Sequence, residues 1–89
     1  MLEVDWDSKN GWHSPVISPY HKLELDPACS ALHYALQAFE GLKAYIDQEG
    51  KIRLFRPDMN MKRLQNSCAR LHFPVDSNLY FVLTSQVFR

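Results

Sequence analysis

The sequence has no surplus of charge: ten Lys and Arg stand against ten Asp and Glu, a formal net charge of zero. A nucleic acid or an anionic membrane drawn in by a basic surface is therefore not an expected partner. Glycine is scarce as well. The three glycines, Gly11, Gly41 and Gly50, stand alone, so neither a P-loop nor a dinucleotide-binding glycine fingerprint can be built from them. A nucleophile elbow is missing too. Cysteine is limited to Cys29 and Cys68. With no CxxC pair and no His–x3–His companion, metal-ligand spacing is absent, and two small buried thiols are expected. No run of about 20 apolar residues exists, so no membrane span is expected. The start, Met1-Leu-Glu-Val-Asp-Trp6, lacks the basic and apolar regions of a signal peptide. Nor is it the Arg- and Ser-rich, acid-poor start of a transit peptide.

What is present is ordinary globular material. Hydrophobic residues make up 46%, aromatics 12% and charged residues 22% of 89 residues, which excludes a disordered tail and fits one small domain or part of a larger one. A chain of this size covers roughly 60–65% of its unfolded surface, leaving little depth for a water-excluded active site.

Period-two alternation of Leu2, Val4 and Trp6 with Glu3 and Asp5 predicts a half-buried strand over Met1–Trp6. Asp7-Ser-Lys-Asn-Gly11 reads as a turn, and Pro15 and Pro19 keep the next stretch extended. Leu23 and Leu25 alternate with Lys22 and Glu24, predicting a second strand over Tyr20–Leu25 that Asp26-Pro27 stops. Ala31, Leu32, Ala35 and Leu36 recur at helical spacing, predicting a short helix over Ser30–Ala38 with Ser30 as N-cap. Phe39-Glu-Gly41 breaks it. Leu42–Asp47 and Lys51–Phe55 flank Gln48-Glu-Gly50 as a β-hairpin. A clearer helix begins at Arg56-Pro-Asp-Met-Asn60, with Pro57 in its first turn, Asp58 near its positive end and Met61, Leu64, Cys68 and Leu71 as a buried stripe. Pro74 is expected to end it. A last helix over Asn78–Phe88, capped by Asp76 or Ser77, presents Leu79, Val82, Leu83 and Val87 as an apolar face without a partner. The chain is therefore expected to end as if cut, and to be marginal or aggregation-prone in isolation.

On spacing alone, Arg63 lies in the interior of the clearer helix, one position from its apolar stripe, with Ser67 and Arg70 continuing a polar strip. A planar, permanently charged fork there suits a phosphate or a carboxylate, although an ordinary solvated arginine fits the same pattern. Tyr34 and Phe39 flank the break around Gly41, where a pocket wall and plain core packing compete as readings. Gly41, without a Cβ, allows backbone to pass close to a ligand. Glu40 and Lys43 fall on opposite faces of an extended segment and make a poor acid–base pair. His33 has no neighbouring Ser, Cys or paired carboxylate and reads as structural.

In order and spacing, "ALHYALQAFEGLKAY", "GKIRLFRPDMNMKRL" and "SCARLHFP" resemble the N-terminal domain of branched-chain amino-acid aminotransferases. These are fold-type IV pyridoxal-phosphate enzymes. The resemblance covers essentially the whole chain, and the opening "EVDW…GW" with its prolines looks like the eukaryotic-type members. It implies an α+β fold, antiparallel strands packed with helices, with residues 1–89 as a truncated N-terminal domain. It implies Arg63 on the 5′-phosphate of pyridoxal phosphate and Phe39 as a wall of the pocket for the substrate's branched side chain. Gly41 becomes the close backbone approach to that pocket, and Tyr34 a residue reaching into the partner subunit's pocket. It further implies a homodimer acting on leucine, isoleucine or valine with 2-oxoglutarate, in the cytoplasm or in mitochondria. The lysine that carries the cofactor covalently lies downstream in the family, and none of Lys9, Lys22, Lys43, Lys51 and Lys62 matches it. No catalytic residue is therefore expected within these 89, and the isolated chain is expected to be inactive. The alternative is a non-catalytic short product that pairs with full-length subunits. A D-amino-acid aminotransferase or an aminodeoxychorismate lyase, also of fold-type IV, fits the Trp- and Pro-rich lead less well.

Overall fold

The computed structural model describes residues 1–75. Among these residues the elements follow in the order β1 (Leu2–Glu3), β2 (Trp6–Asp7), β3 (Gly11–Trp12), β4 (Val16–Ile17), α1 (Ser30–Tyr34), β5 (Ala44–Ile46), β6 (Ile52–Leu54) and α2 (Pro57–Arg70). Strand pairing among the described residues is antiparallel, in three two-stranded ladders. This is the expected α+β class.

The predicted strand over Met1–Trp6 is broken in two. Leu2 pairs with Ile17 and Glu3 with Val16, whereas Trp6 pairs with Trp12 and Asp7 with Gly11. The two ladders are nested arms of one hairpin, but Val4 and Asp5 on one arm face His13, Ser14 and Pro15 on the other. The extra residue is a bulge, and Pro15, lacking an N–H, marks the place where the ladder cannot continue. The turn over residues 8–10 is as expected. The Asp7 carboxylate organises it, accepting from the backbone N–H of Lys9 at 2.7 Å and of Asn10 at 2.9 Å; Gly11 then takes φ +73°, a conformation that favours glycine.

Tyr20–Leu25 is not a strand. It runs irregularly and joins none of the three ladders, since alternation alone supplies no hydrogen bonds. His21 instead ties it to β1, its Nε2 lying 2.8 Å from the Glu3 carboxylate. The predicted helix over Ser30–Ala38 shrinks to Ser30–Tyr34, and Ser30 is its first residue rather than its cap. Cys29 holds the cap position without a side-chain bond, and Ala35 stops the helix in the left-handed region at φ 52°.

The β5–β6 hairpin forms where expected, with Ala44 opposite Leu54 and Ile46 opposite Ile52. Asp47 builds its turn, accepting from the N–H groups of Glu49 and Lys51 at 2.9 Å each, while its second oxygen takes the Arg53 Nε at 2.8 Å. Gly50 supplies the φ of +79° that this turn requires. Arg56 sits in the left-handed region before Pro57, whose ring disfavours the right-handed helical conformation for its predecessor.

Along α2 the predicted stripe is real but thinly covered. Met61 is the one buried residue among those described, at 9% exposure. Leu64 and Cys68 are half-buried and Leu71 is exposed. The helix also stops before Pro74. His72 adopts φ 56°, and the N–H groups of His72 and Phe73 close onto the carbonyls of Ala69 and Cys68, a left-handed terminus that satisfies the last carbonyls. Cys29 and Cys68 are free thiols, half-buried rather than fully buried. The predicted helix over Asn78–Phe88 lies outside the described residues.

Candidate functional site

The segment Phe39–Leu42, the β5–β6 hairpin and the first two turns of α2 meet around an open concavity of about 390 Å³. Its volume falls within the range of small-molecule sites, roughly 300–1,000 Å³. Gly41, Leu42, Tyr45, Phe55, Met59, Asn60 and Arg63 are among the residues that line it. Three cationic side chains border it, Lys43, Arg56 and Arg63; Arg56 is paired with Asp58 and Arg63 with Glu40, so an anion here would meet individual N–H donors rather than a broad positive field.

One carboxylate organises the site. Glu40 Oε1 accepts from the N–H of Gly41 at 2.9 Å and from Asn60 Nδ2 at 3.1 Å. Arg63 donates to it from two nitrogens, Nε to Oε2 at 2.9 Å and Nη2 to Oε1. Asn60 Nδ2 also donates to the Gly41 carbonyl at 2.7 Å. The side chain of Glu40 is only 11% exposed while that of Arg63 is 63% exposed. The Arg63 guanidinium holds the Glu40 carboxyl below its ordinary range, helped by Asn60 and the Gly41 N–H, and Glu40 in turn raises the pKa of Arg63. Below Arg63 on the helix, the Ser67 hydroxyl donates to the Arg63 carbonyl at 3.1 Å.

Of the residues singled out from sequence, Gly41 and Arg63 are brought together at this concavity. Phe39 is adjacent in sequence but points outward at 91% exposure, and Tyr34 is 79% exposed; neither lines the cavity. His33 turns its Nε2 to the Pro27 carbonyl, a structural contact. Glu40 is the residue that sequence reasoning passes over. Its separation of 23 positions from Arg63 follows no local periodicity, and only the opposite charges of the two residues hint at a pair.

No protein-family model matches the sequence. Curated relatives do. A branched-chain-amino-acid aminotransferase of Dictyostelium discoideum is 57% identical over 74 residues, covering 83% of this chain and 20% of that protein. The mitochondrial branched-chain-amino-acid aminotransferase of Rattus norvegicus is 55% identical over 74 residues, 83% of this chain and 19% of its own length. Branched-chain-amino-acid transaminase 1 of Bacillus subtilis (strain 168) is 46% identical over 88 residues, 98% of this chain and 25% of its own. The chain thus spans about a fifth to a quarter of the length of the relatives it matches. They include mitochondrial and cytosolic forms. Over the stretch it spans, the chain belongs with the branched-chain-amino-acid aminotransferases.

Proposed function

We propose that this chain contributes the phosphate anchor and part of the substrate pocket of a pyridoxal-phosphate-dependent branched-chain aminotransferase, as its N-terminal domain. The whole enzyme would move an amino group between leucine, isoleucine or valine and 2-oxoglutarate, as a homodimer, in the cytosol or in mitochondria. The observation that carries the reading is the free edge of Arg63. Glu40 occupies Nε and Nη2, and Nη1 has no partner among the described residues. That edge sits at the rim of a concavity bordered by two further cations. The donor set fits a phosphate, since parallel N–H groups of a guanidinium match its oxygens and the charge compensates its own.

Bound pyridoxal phosphate supplies an electron sink for bond breaking at the amino-acid Cα. The residues of this chain bind and orient. Arg63 fixes the phosphate end, and with it the position of the ring. At Gly41 even a Cβ would meet nothing within 4 Å, so there is room for a ligand beside the backbone. Phe39, outside the concavity and exposed in this chain, would act as an aromatic wall for a branched aliphatic side chain in the complete enzyme. Tyr34, exposed on α1, would serve the pocket of the partner subunit. No proton transfer is assigned to any residue described.

In the complete aminotransferase carrying this segment, Arg63→Ala is expected to weaken retention of pyridoxal phosphate by tenfold or more, the loss of about 1.5–3 kcal/mol of charge-assisted bonding. Cofactor absorbance after dialysis reads this directly, with helical circular dichroism as the control for folding. Unchanged occupancy would remove the phosphate role from Arg63.

A further inference from the structure

We infer that Glu40 is a positioning residue that selects which edge of the Arg63 guanidinium meets an anion. The inference rests on the phosphate role given to Arg63 above. A guanidinium carries five N–H donors in one plane. They form two forked edges: a side edge made by Nε and Nη2, and an end edge made by Nη1 and the second hydrogen of Nη2. Glu40 fills the side edge with both carboxylate oxygens. The three remaining donors face away from it, and Nη1 has no partner among the described residues.

The carboxylate is itself held. The Gly41 N–H at 2.9 Å and Asn60 Nδ2 at 3.1 Å fix Oε1, and Asn60 is one turn before Arg63 on the same helix. Glu40 therefore has four donors and little freedom to swing away, and the side chain is largely covered. An arginine with four free torsions is reduced to one orientation before a ligand arrives, so the ordering cost of such a side chain does not fall on binding. The neighbouring Arg56 shows the contrast. Its Nε and Nη2 also meet a carboxylate, at 3.2 Å, but the partner is Asp58, two residues away and exposed. That pair is local and anchors nothing beyond its own turn. At Arg63 the same chemistry joins two segments 23 positions apart.

Removing Glu40 has two opposed electrostatic consequences, since a lost carboxylate also lowers repulsion toward a phosphate. Affinity alone is thus a poor measure, and the edge used is the decisive one. The test follows the guanidinium ¹⁵N–¹H signals of Arg63 at low temperature in the complete aminotransferase carrying this segment, freed of cofactor and titrated with inorganic phosphate. The expected result is that the Nη signals shift while the Nε–Hε signal stays in place. In Glu40→Ala both sets should shift, because the side edge is open. Glu40→Gln, which keeps one carbonyl acceptor and guards against a folding defect in the alanine variant, should show the Nε–Hε shift in part. A shift of Nε–Hε in the unaltered chain would mean that phosphate displaces Glu40, and would overturn the positioning role while leaving Arg63 as an anion site. No response at any Arg63 nitrogen would instead overturn the phosphate reading itself, and the inference with it.

Discussion

Met61 is where the packing of the described residues concentrates. It lies in the second turn of α2, and Leu64 and Cys68, which continue its stripe, are only half-covered. Truncating a buried Met or Leu removes transfer energy and leaves a cavity, at a cost of roughly 2–5 kcal/mol in a full core. A site with such thin cover belongs at the bottom of that range. Met61→Ala is expected to cost about 2 kcal/mol, read as a lower urea midpoint for loss of the helical signal. An unchanged midpoint would show that α2 is held by its termini and by Glu40 rather than by its apolar face. The opposite case is Phe39, whose exposed ring can be truncated with little effect on stability.

At the level of elements, short aspartate-centred turns do much of the organising. Asp7, Asp26 and Asp47 each accept a backbone N–H two residues ahead, at 2.7, 2.7 and 2.9 Å, the mechanism by which Asp favours turns. Two of these turns were legible in the sequence, because a Gly closes each of them and flanking alternation marked the strands. The start of α2 was legible for a similar reason, since Pro57 and Asp58 suit a helix N-terminus. What was not legible depended on distant partners. Tyr20–Leu25 has strand-like alternation but pairs with none of the described strands, and the one-residue slip opposite Val4 and Asp5 needs both arms of the hairpin to be seen. The end of α2 was missed because His72, a residue with a Cβ, takes a left-handed conformation usually given to Gly. In the site, Arg63 announced itself by its place beside an apolar stripe, whereas Glu40 could be recognised only once the chain had folded back.

The tie between β1 and the stretch around His21 carries a pH dependence. The Lys22 carbonyl and Glu3 raise the pKa of His21 above its ordinary 6.5, and His21 with Ser18 lowers that of Glu3 below 4.5. The raised His21 contributes fully below about 6.5 and loses its contribution as pH climbs through its folded value. The lowered Glu3 contributes fully above about 4.5 and loses its contribution as pH falls through its folded value. Amide exchange at Ser18, whose N–H donates to the Met1 carbonyl across these strands at 2.9 Å, is therefore expected to be slowest, after correction for intrinsic rates, between about pH 4.5 and 6.5. Protection that does not change on crossing either limit would show that the pair is not holding these strands.

Across the described residues as a whole, apolar surface is abundant and concealment scarce. Tyr20, Phe39 and Phe55 are each more than 80% exposed, and Ile46 and Ile52, paired across the hairpin, are each more than 70% exposed. Isolated exposed apolar residues are normal, but an exposed isoleucine pair sharing one hairpin face with Leu54 is surface of the kind that binds apolar probes. The 89-residue chain is expected to enhance the fluorescence of an apolar dye such as ANS under native conditions, as states with loosely covered apolar surface do. Dye fluorescence no higher than that of a compact protein of similar mass would mean that this surface is covered in solution.

The clamp between Glu40 and Arg63 also bears on the order in which the chain assembles. Closing a loop of 23 positions is an entropic cost that grows with the logarithm of its length. The β5–β6 hairpin lies wholly inside that loop, and its outermost pair joins Ala44 to Leu54. Once it has zipped, the contour to be closed is roughly halved, lowering the closure cost by about 0.6 kcal/mol. The hairpin is thus a kinetic shortcut. The turn at Asp47 and Gly50, outside the clamp itself, sets how readily Arg63 comes into place.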